Sequence, residues 1–363
     1  MAAVTSEARV ETGEIATHRF AGGAATDGFR FALLRLAAGV MVAAVLLFLL
    51  NNYLVYWHDW PGPLFFFAHQ GWFGLVPPAT PLDDQVIGRG WMQCVLYALT
   101  LAAVVVYILI TPQRLLRADS ELLSALAAFV VRAAFWSVLL VGLADMIISF
   151  LRVEGLLAQI VGEELTRGLG RSQFRGSYVH LPLIAVSIVI AVFVRALGVT
   201  WLALLVVFAE FQIVISRFVF SYEQAFMGDL VRFWYAAMFL FASAYALIEE
   251  GHVRVDVLYT HFSERGKAWA NALGSVFLGL PLCWVILITG MSGKGSSING
   301  PLLSFEISQS GYGMYVKYLM AAFLVVFAVS MAIQFVSYLL MAASTLRNEP
   351  KNLVHSATVQ GSV

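Results

Sequence analysis

Charge is scarce in this chain. Only 12% of its 363 residues are Asp, Glu, Lys or Arg, where a soluble domain carries about 25%. Its 22 basic and 22 acidic residues cancel. There is no long basic run either, so the electrostatic footprint of a nucleic-acid-binding protein is missing. Cysteine is scarcer still. Cys94 and Cys283 each lie inside an apolar run, which predicts free buried thiols and excludes a disulfide framework or a cysteine-rich zinc site. A short apolar core with a small-residue cleavage site, the mark of a removable signal peptide, is also lacking. Residues 1–30 therefore read as a disordered cytoplasmic tail, and the apolar run 31–50 as a retained anchor.

What the chain does have is apolar surface. It is 60% hydrophobic, with 27 Phe, 13 Tyr and 9 Trp and a mean hydropathy of +0.82. Lipid is the solvent this composition fits. A bilayer core of about 30 Å takes roughly 20 apolar helical residues, because lipid offers backbone amides no other partner. Runs of that kind cover 31–50, 92–110, 124–149, 179–197, 199–217, 230–248, 270–290 and 316–341. The expected fold is all-α: a polytopic integral membrane protein of about eight transmembrane helices.

Lys and Arg placement sets the expected orientation. Arg9, Arg19, Arg30, Arg114, Arg117, Arg195, Arg254, Arg265, Lys267, Arg347 and Lys351 fall on one side of an eight-span layout. Both termini are then cytoplasmic. The 51–91 and 291–315 segments lie outside. Segment 150–177 fits less well, because it should be outside yet holds Arg152, Arg167, Arg171 and Arg175. Leu156, Leu157, Ile160, Val161 and Leu165 recur there at near-helical spacing. Either this is an amphipathic helix on the membrane surface, or the N-terminal half differs by one span. The aromatic stretch "NNYLVYWHDWPGPLFFFAHQGWFG" (51–74) suits an interfacial loop, its three glycines and two prolines excluding a regular span.

Ionisable groups inside apolar helices are costly, and each one asks for a reason. Glu210 sits near the middle of its run. Arg217, seven residues on, shares its face but lies ~10 Å along the axis, too far for a tight ion pair. Glu210 then needs a proton or a partner on another helix. Arg132 and Asp145 are thirteen residues apart and point different ways. Arg132 is placed to snorkel, and Asp145 is close enough to the outer end to be wet. A proton or ion relay is one reading of these three; contact with a partner subunit is the preferred one, since they do not converge on one depth. Asp229 and Arg232, with Glu223 upstream, read as a solvated helix in the interface plane.

The densest charged stretch is "EEGHVRVDVL" (249–258). His252 and Asp256 have metal-ligand spacing only if helical, and Gly251 breaks the helix. No nucleophile accompanies His252, so catalysis has no support. The remaining reading is a boundary device: Gly251 ends a helix, and His252, Arg254 and Asp256 form a clamp at the cytoplasmic surface.

Taken together, "ISRFVF" (215–220), "GDL" (228–230) and "GHVRVDVL" (251–258) resemble, in order and spacing, the small membrane subunit of tripartite ATP-independent periplasmic (TRAP) transporters, the DctQ family. Arg217 and Phe220 take the positions of its Arg-x-x-Phe element, and Gly251, His252 and Asp256 those of its His-x-x-x-Asp element. Phe226, Gly228 and Asp229 stand where the family often has Trp, Glu and Glu. The similarity covers a four-helix domain over 198–345, followed by a cytoplasmic tail (346–363). Residues 31–197, with about four helices, resemble the enlarged N-terminal part of long members.

That resemblance implies a scaffold subunit in an inner membrane. Its partners would be a large DctM-like membrane subunit and a periplasmic DctP-like binding protein that delivers organic anions such as carboxylates in a sodium-coupled system. It also implies no catalysis, no metal, no cofactor and no substrate site in this chain. Two alternatives stay open: a stand-alone ion- or proton-coupled transporter using Arg132, Asp145 and Glu210, and a membrane anchor of a redox complex with histidine-ligated haem. For the second, His180, His252 and His261 fall at helix ends instead of mid-membrane.

Overall fold

The computed structural model describes residues 4–77, 82–195, 199–248, 259–308 and 313–349. Side chains 4–29, 199, 202 and 248 are not described. Every regular element among these residues is helical. Eight helices are long and apolar enough to cross a membrane: α1 (Arg30–His58), α2 (Asp84–Ile110), α3 (Leu116–Val153), α4 (Ser172–Phe193), α5 (Ala203–Phe220), α6 (Ala225–Leu247), α7 (Glu264–Met291) and α8 (Lys317–Leu346). They fall on the eight apolar runs, with longer ends on several. The backbone helix that carries α1 begins at Val4, where a disordered tail was expected; Ala, Glu and Arg, good helix formers, recur in that stretch.

The chain forms two compact units, residues 1–49 with 61–116, and 50–60 with 117–363. The first holds most of α1 together with α2. Arg35 of α1 donates to the Thr111 carbonyl (2.6 Å) and Thr111 Oγ1 (2.8 Å), so one carbonyl at the end of α2 gains a donor that no further turn would supply. The aromatic stretch makes a short helix, Pro63–His69. Phe66 at its centre is wholly buried, packed edge-on to Trp91 at 5.3 Å. Gly90 lets that ring in, since a Cβ there would come within 2.2 Å of it.

The second unit is organised around α8. More than half of its most apolar window (56%) is buried, against 6% for α5, so α8 is the core helix and α5 a peripheral one. α8 packs on α6 and α7, while α5 packs chiefly on α6. Ser120 and Ser124 of α3 meet Ser337 of α8, with oxygen separations of 2.9 Å. Small hydroxyl residues allow this close approach and bond across helices where lipid gives no hydrophobic drive. The last turns of α1 clip to the end of α7: Asn52 donates to the Met291 carbonyl at 2.7 Å and Tyr56 to that of Ser292 at 2.6 Å.

Two helices carry the same irregularity. In α4 and α7 a π-helical turn, Gly176–His180 and Ser275–Gly279, precedes a Leu-Pro pair. Proline donates no amide hydrogen and crowds the preceding turn, and one extra residue per turn relieves both problems. The wide turn in α4 also turns His180 toward the bundle interior, where it is fully buried.

Gly142 of α3 is a further close approach. The Trp234 indole of α6 lies across it and donates to the Val138 carbonyl at 3.2 Å. A Cβ on Gly142 would stand 2.5 Å from that indole nitrogen. Gly142→Ala is therefore expected to cost about 1 kcal/mol through overpacking, visible as a lower unfolding temperature in detergent. Gly228→Ala, where a Cβ meets nothing within 4 Å, is the matched control and should be neutral or slightly stabilising.

Candidate functional site

The polar centre of the protein lies where α3 ends and α8 begins. Asp145 and Arg175 are both fully buried, and Arg175 Nη1 donates to Asp145 Oδ1 at 2.8 Å. His180 Nε2 stands 3.1 Å from the same oxygen. The second oxygen, Oδ2, accepts the Tyr315 backbone amide at 2.7 Å. Asp145 thus binds a cation, an imidazole and a main-chain donor at once, which suits a carboxylate taken out of water.

Each partner is itself held. Arg175 Nε donates to the Leu169 carbonyl at 3.0 Å and Nη1 also to Ser149 Oγ at 3.1 Å. Its guanidinium lies 4.1 Å from the Tyr315 ring centroid, a cation–π distance. His180 Nδ1 meets the Tyr318 hydroxyl at 2.8 Å. With Nε2–H donating to Asp145, the Nδ1 lone pair accepts from that phenol, so a neutral imidazole satisfies both bonds. Arg152 donates to the Tyr315 hydroxyl, which in turn donates to the Gly170 carbonyl at 3.1 Å.

Asp229 makes a parallel arrangement from α6. Its Oδ2 accepts the Met314 amide and the Ser308 hydroxyl, each at 3.1 Å, and Oδ1 accepts Arg232 Nη1 at 3.2 Å. Two consecutive amides ahead of α8, those of Met314 and Tyr315, are therefore held by aspartates from two different helices. Amides ahead of a helix have no carbonyl of their own to bond, and negative charge there is favoured by the helix dipole. A second tie runs beside it, with Lys317 Nζ 2.6 Å from Glu306 Oε1. An open cavity of about 330 Å³ lies against this segment, lined by Asp229, Arg232, Ser308, Met314, Val316, Lys317 and Met320.

These positions correct several expectations. Asp145 is fully buried, not wet, and both its oxygens are engaged within this chain. Segment 150–177 is not one surface helix; Gly155 (φ 68°) and Gly162 (φ 84°) break it into the short helices Leu157–Val161 and Glu163–Leu169. Two of its arginines, Arg152 and Arg175, turn inward, which removes much of the charge anomaly. Asp229 is buried inside a spanning helix, not solvated in the interface plane. His180 lies within a helix, with both ring nitrogens engaged by protein.

Other predicted residues are placed apart. Arg132 lies on α3 with its Nε buried and without a hydrogen-bond partner among the described residues. Glu210 is exposed on α5. Arg217 is 3.5 Å from Glu223, both side chains more than half exposed, and Phe220 is 70% exposed. Gly251, His252, Arg254 and Asp256 lie outside the described residues. Just past the Arg217–Phe220 end of α5, Tyr222 donates to Glu154 Oε1 at 2.6 Å. Desolvation and the adjacent carboxylate push its phenol up to about 12, so it stays a donor through the neutral range.

Arg175, His180, Tyr315 and Tyr318 were not expected at this centre. A signal for the first was present, in the arginines of segment 150–177 that fit no orientation. The fold and this centre define a multi-pass helical membrane protein whose interior charges tie helices to one another. Residues 203–347, which include α5 to α8, match the family described as tripartite ATP-independent periplasmic transporters, DctQ component. This match over the last four spans supports a TRAP transporter small permease subunit, a transporter component, and the preceding helices fit a long variant. No curated protein and no solved structure matches the chain.

Proposed function

We propose that this chain is the fixed scaffold of a sodium-coupled uptake system for organic anions such as carboxylates in a bacterial inner membrane. Both termini face the cytoplasm. The chain braces a large DctM-like subunit that carries the transport path, and it helps a periplasmic DctP-like protein dock. The observation that carries this reading is the family match over α5–α8. The buried Asp145–Arg175–His180 centre supports it, because polar groups already committed to one another suit a rigid brace better than a moving ion path.

Affinity purification from detergent-solubilised native membranes is expected to bring down a large polytopic membrane protein at near-equal amounts. Proteoliposomes holding this chain alone are expected to take up no solute. Those holding both membrane subunits should take up an organic anion only with sodium and the binding protein present. Uptake by the isolated chain would overturn the scaffold reading.

A further inference from the structure

Along α5, Ala203, Val207, Glu210, Val214 and Arg217 recur at spacings of four and three residues. That is the repeat of a helix seam made to meet another helix. Nothing in the described structure covers it. Val207 and Val214 are 63% and 49% exposed, and Phe208, Phe211 and Phe218 flank them, more exposed than buried. The buried side of α5 is the opposite one, where Ala209 is 1% exposed.

Glu210 stands at the middle of this seam and of the span Ala203–Phe220. It makes no hydrogen bond or ion pair among the described residues. Arg217, the cation on the same face, stands by Glu223. Lipid could cover the valines and phenylalanines, but it would leave a carboxylate unpaired in hydrocarbon, among the costliest placements a membrane helix can make. A second copy fares no better. Two α5 helices related by an axis along the membrane normal would set Glu210 against Glu210 at one depth, with Arg217 ~10 Å away along each helix.

We propose that this face seats a transmembrane helix of a separate polytopic subunit, and that this helix brings an Arg or Lys side chain to the depth of Glu210. The inference rests on the reading of the chain as one subunit of an assembly and says which face makes the joint. The apolar flanks supply shape, and the carboxylate–cation pair sets depth and rejects other helices. Charge at a helix seam selects partners in this way.

The test places a benzophenone amino acid at position 207 or 214 of the full chain in native membranes and maps the photo-adducts by mass spectrometry. The expected adduct is with a polytopic membrane protein, at an apolar segment that contains Arg or Lys. Glu210→Leu should lower its yield at least tenfold. That variant removes the membrane charge, so the chain should insert as well as the wild type, and an unchanged size-exclusion profile checks this. Glu210→Lys should lower the yield as far. Adducts with lipid or with a second copy alone would overturn the proposal. So would a polytopic subunit that co-purifies without a Glu210-dependent adduct, and in that case the scaffold reading stands. Absence of any co-purifying membrane subunit would overturn both.

Discussion

Asp145→Ala is expected to lower the stability of the folded bundle by about 3–5 kcal/mol, the usual range when one partner of a buried ion pair is removed. The loss comes less from the missing attraction than from what stays behind. Arg175 is fully buried and would be left as an uncompensated charge. The Tyr315 amide would lose its acceptor, and His180 one of its two partners. Denaturant titration in detergent, followed by tryptophan fluorescence, reads the change. A shift within about 0.5 kcal/mol, typical of a surface substitution, would show that the pair does not hold the bundle.

The same pair permits a sharper check. Arg175→Met on its own leaves Asp145 with only His180 and an amide. Combined as Asp145→Asn with Arg175→Met, neither charge is buried, and apolar or neutral replacement of a buried pair is often close to neutral. The double variant is therefore expected to be more stable than Asp145→Ala, although it carries one more substitution. The reverse order would mean that Arg175 is stabilised chiefly by its position over the Tyr315 ring and its bond to the Leu169 carbonyl.

How much of this could be read from the sequence follows from what each feature depends on. The eight spans were legible because bilayer thickness fixes their length and lipid forbids anything but helix. Pairing was not legible. Arg175 is 30 positions from Asp145, and the Tyr315 amide 170 positions, so no spacing rule links them. The surplus arginines of segment 150–177 were a usable clue, since cations that fit neither side of a membrane can lie inside the protein. Asp229 was misjudged for a related reason. It is one turn into α6, and its short polar neighbours resemble a wet loop until Met314 and Ser308 are seen to approach. The clamp expected at His252 and Asp256 lies outside the described residues. The cost of Glu210, in contrast, was legible at once, because its depth follows from the length of its own helix.

Asp229→Ala is expected to cost about 1.5–3 kcal/mol, the range for hydrogen bonds to a charged group. Met314 is 1% exposed and Asp229 8%, but the open cavity beside them lets water take over part of the carboxylate's bonding, which places the loss toward the lower end of that range. The bond to Arg232 should contribute little, because that side chain is 74% exposed and surface pairs are weak. Asp229→Asn, which keeps one acceptor oxygen, should therefore recover most of the loss, whereas Arg232→Ala should change stability by under about 0.5 kcal/mol. Amide exchange at Met314 and Tyr315 is the direct readout, and both should quicken in Asp229→Ala. Because Asp145 and Asp229 hold neighbouring amides of one segment, freeing either one loosens the other. The double variant should then lose less than the sum of the two single losses, as contacting groups do. Strict additivity would mean that the head of α8 keeps its place without either carboxylate.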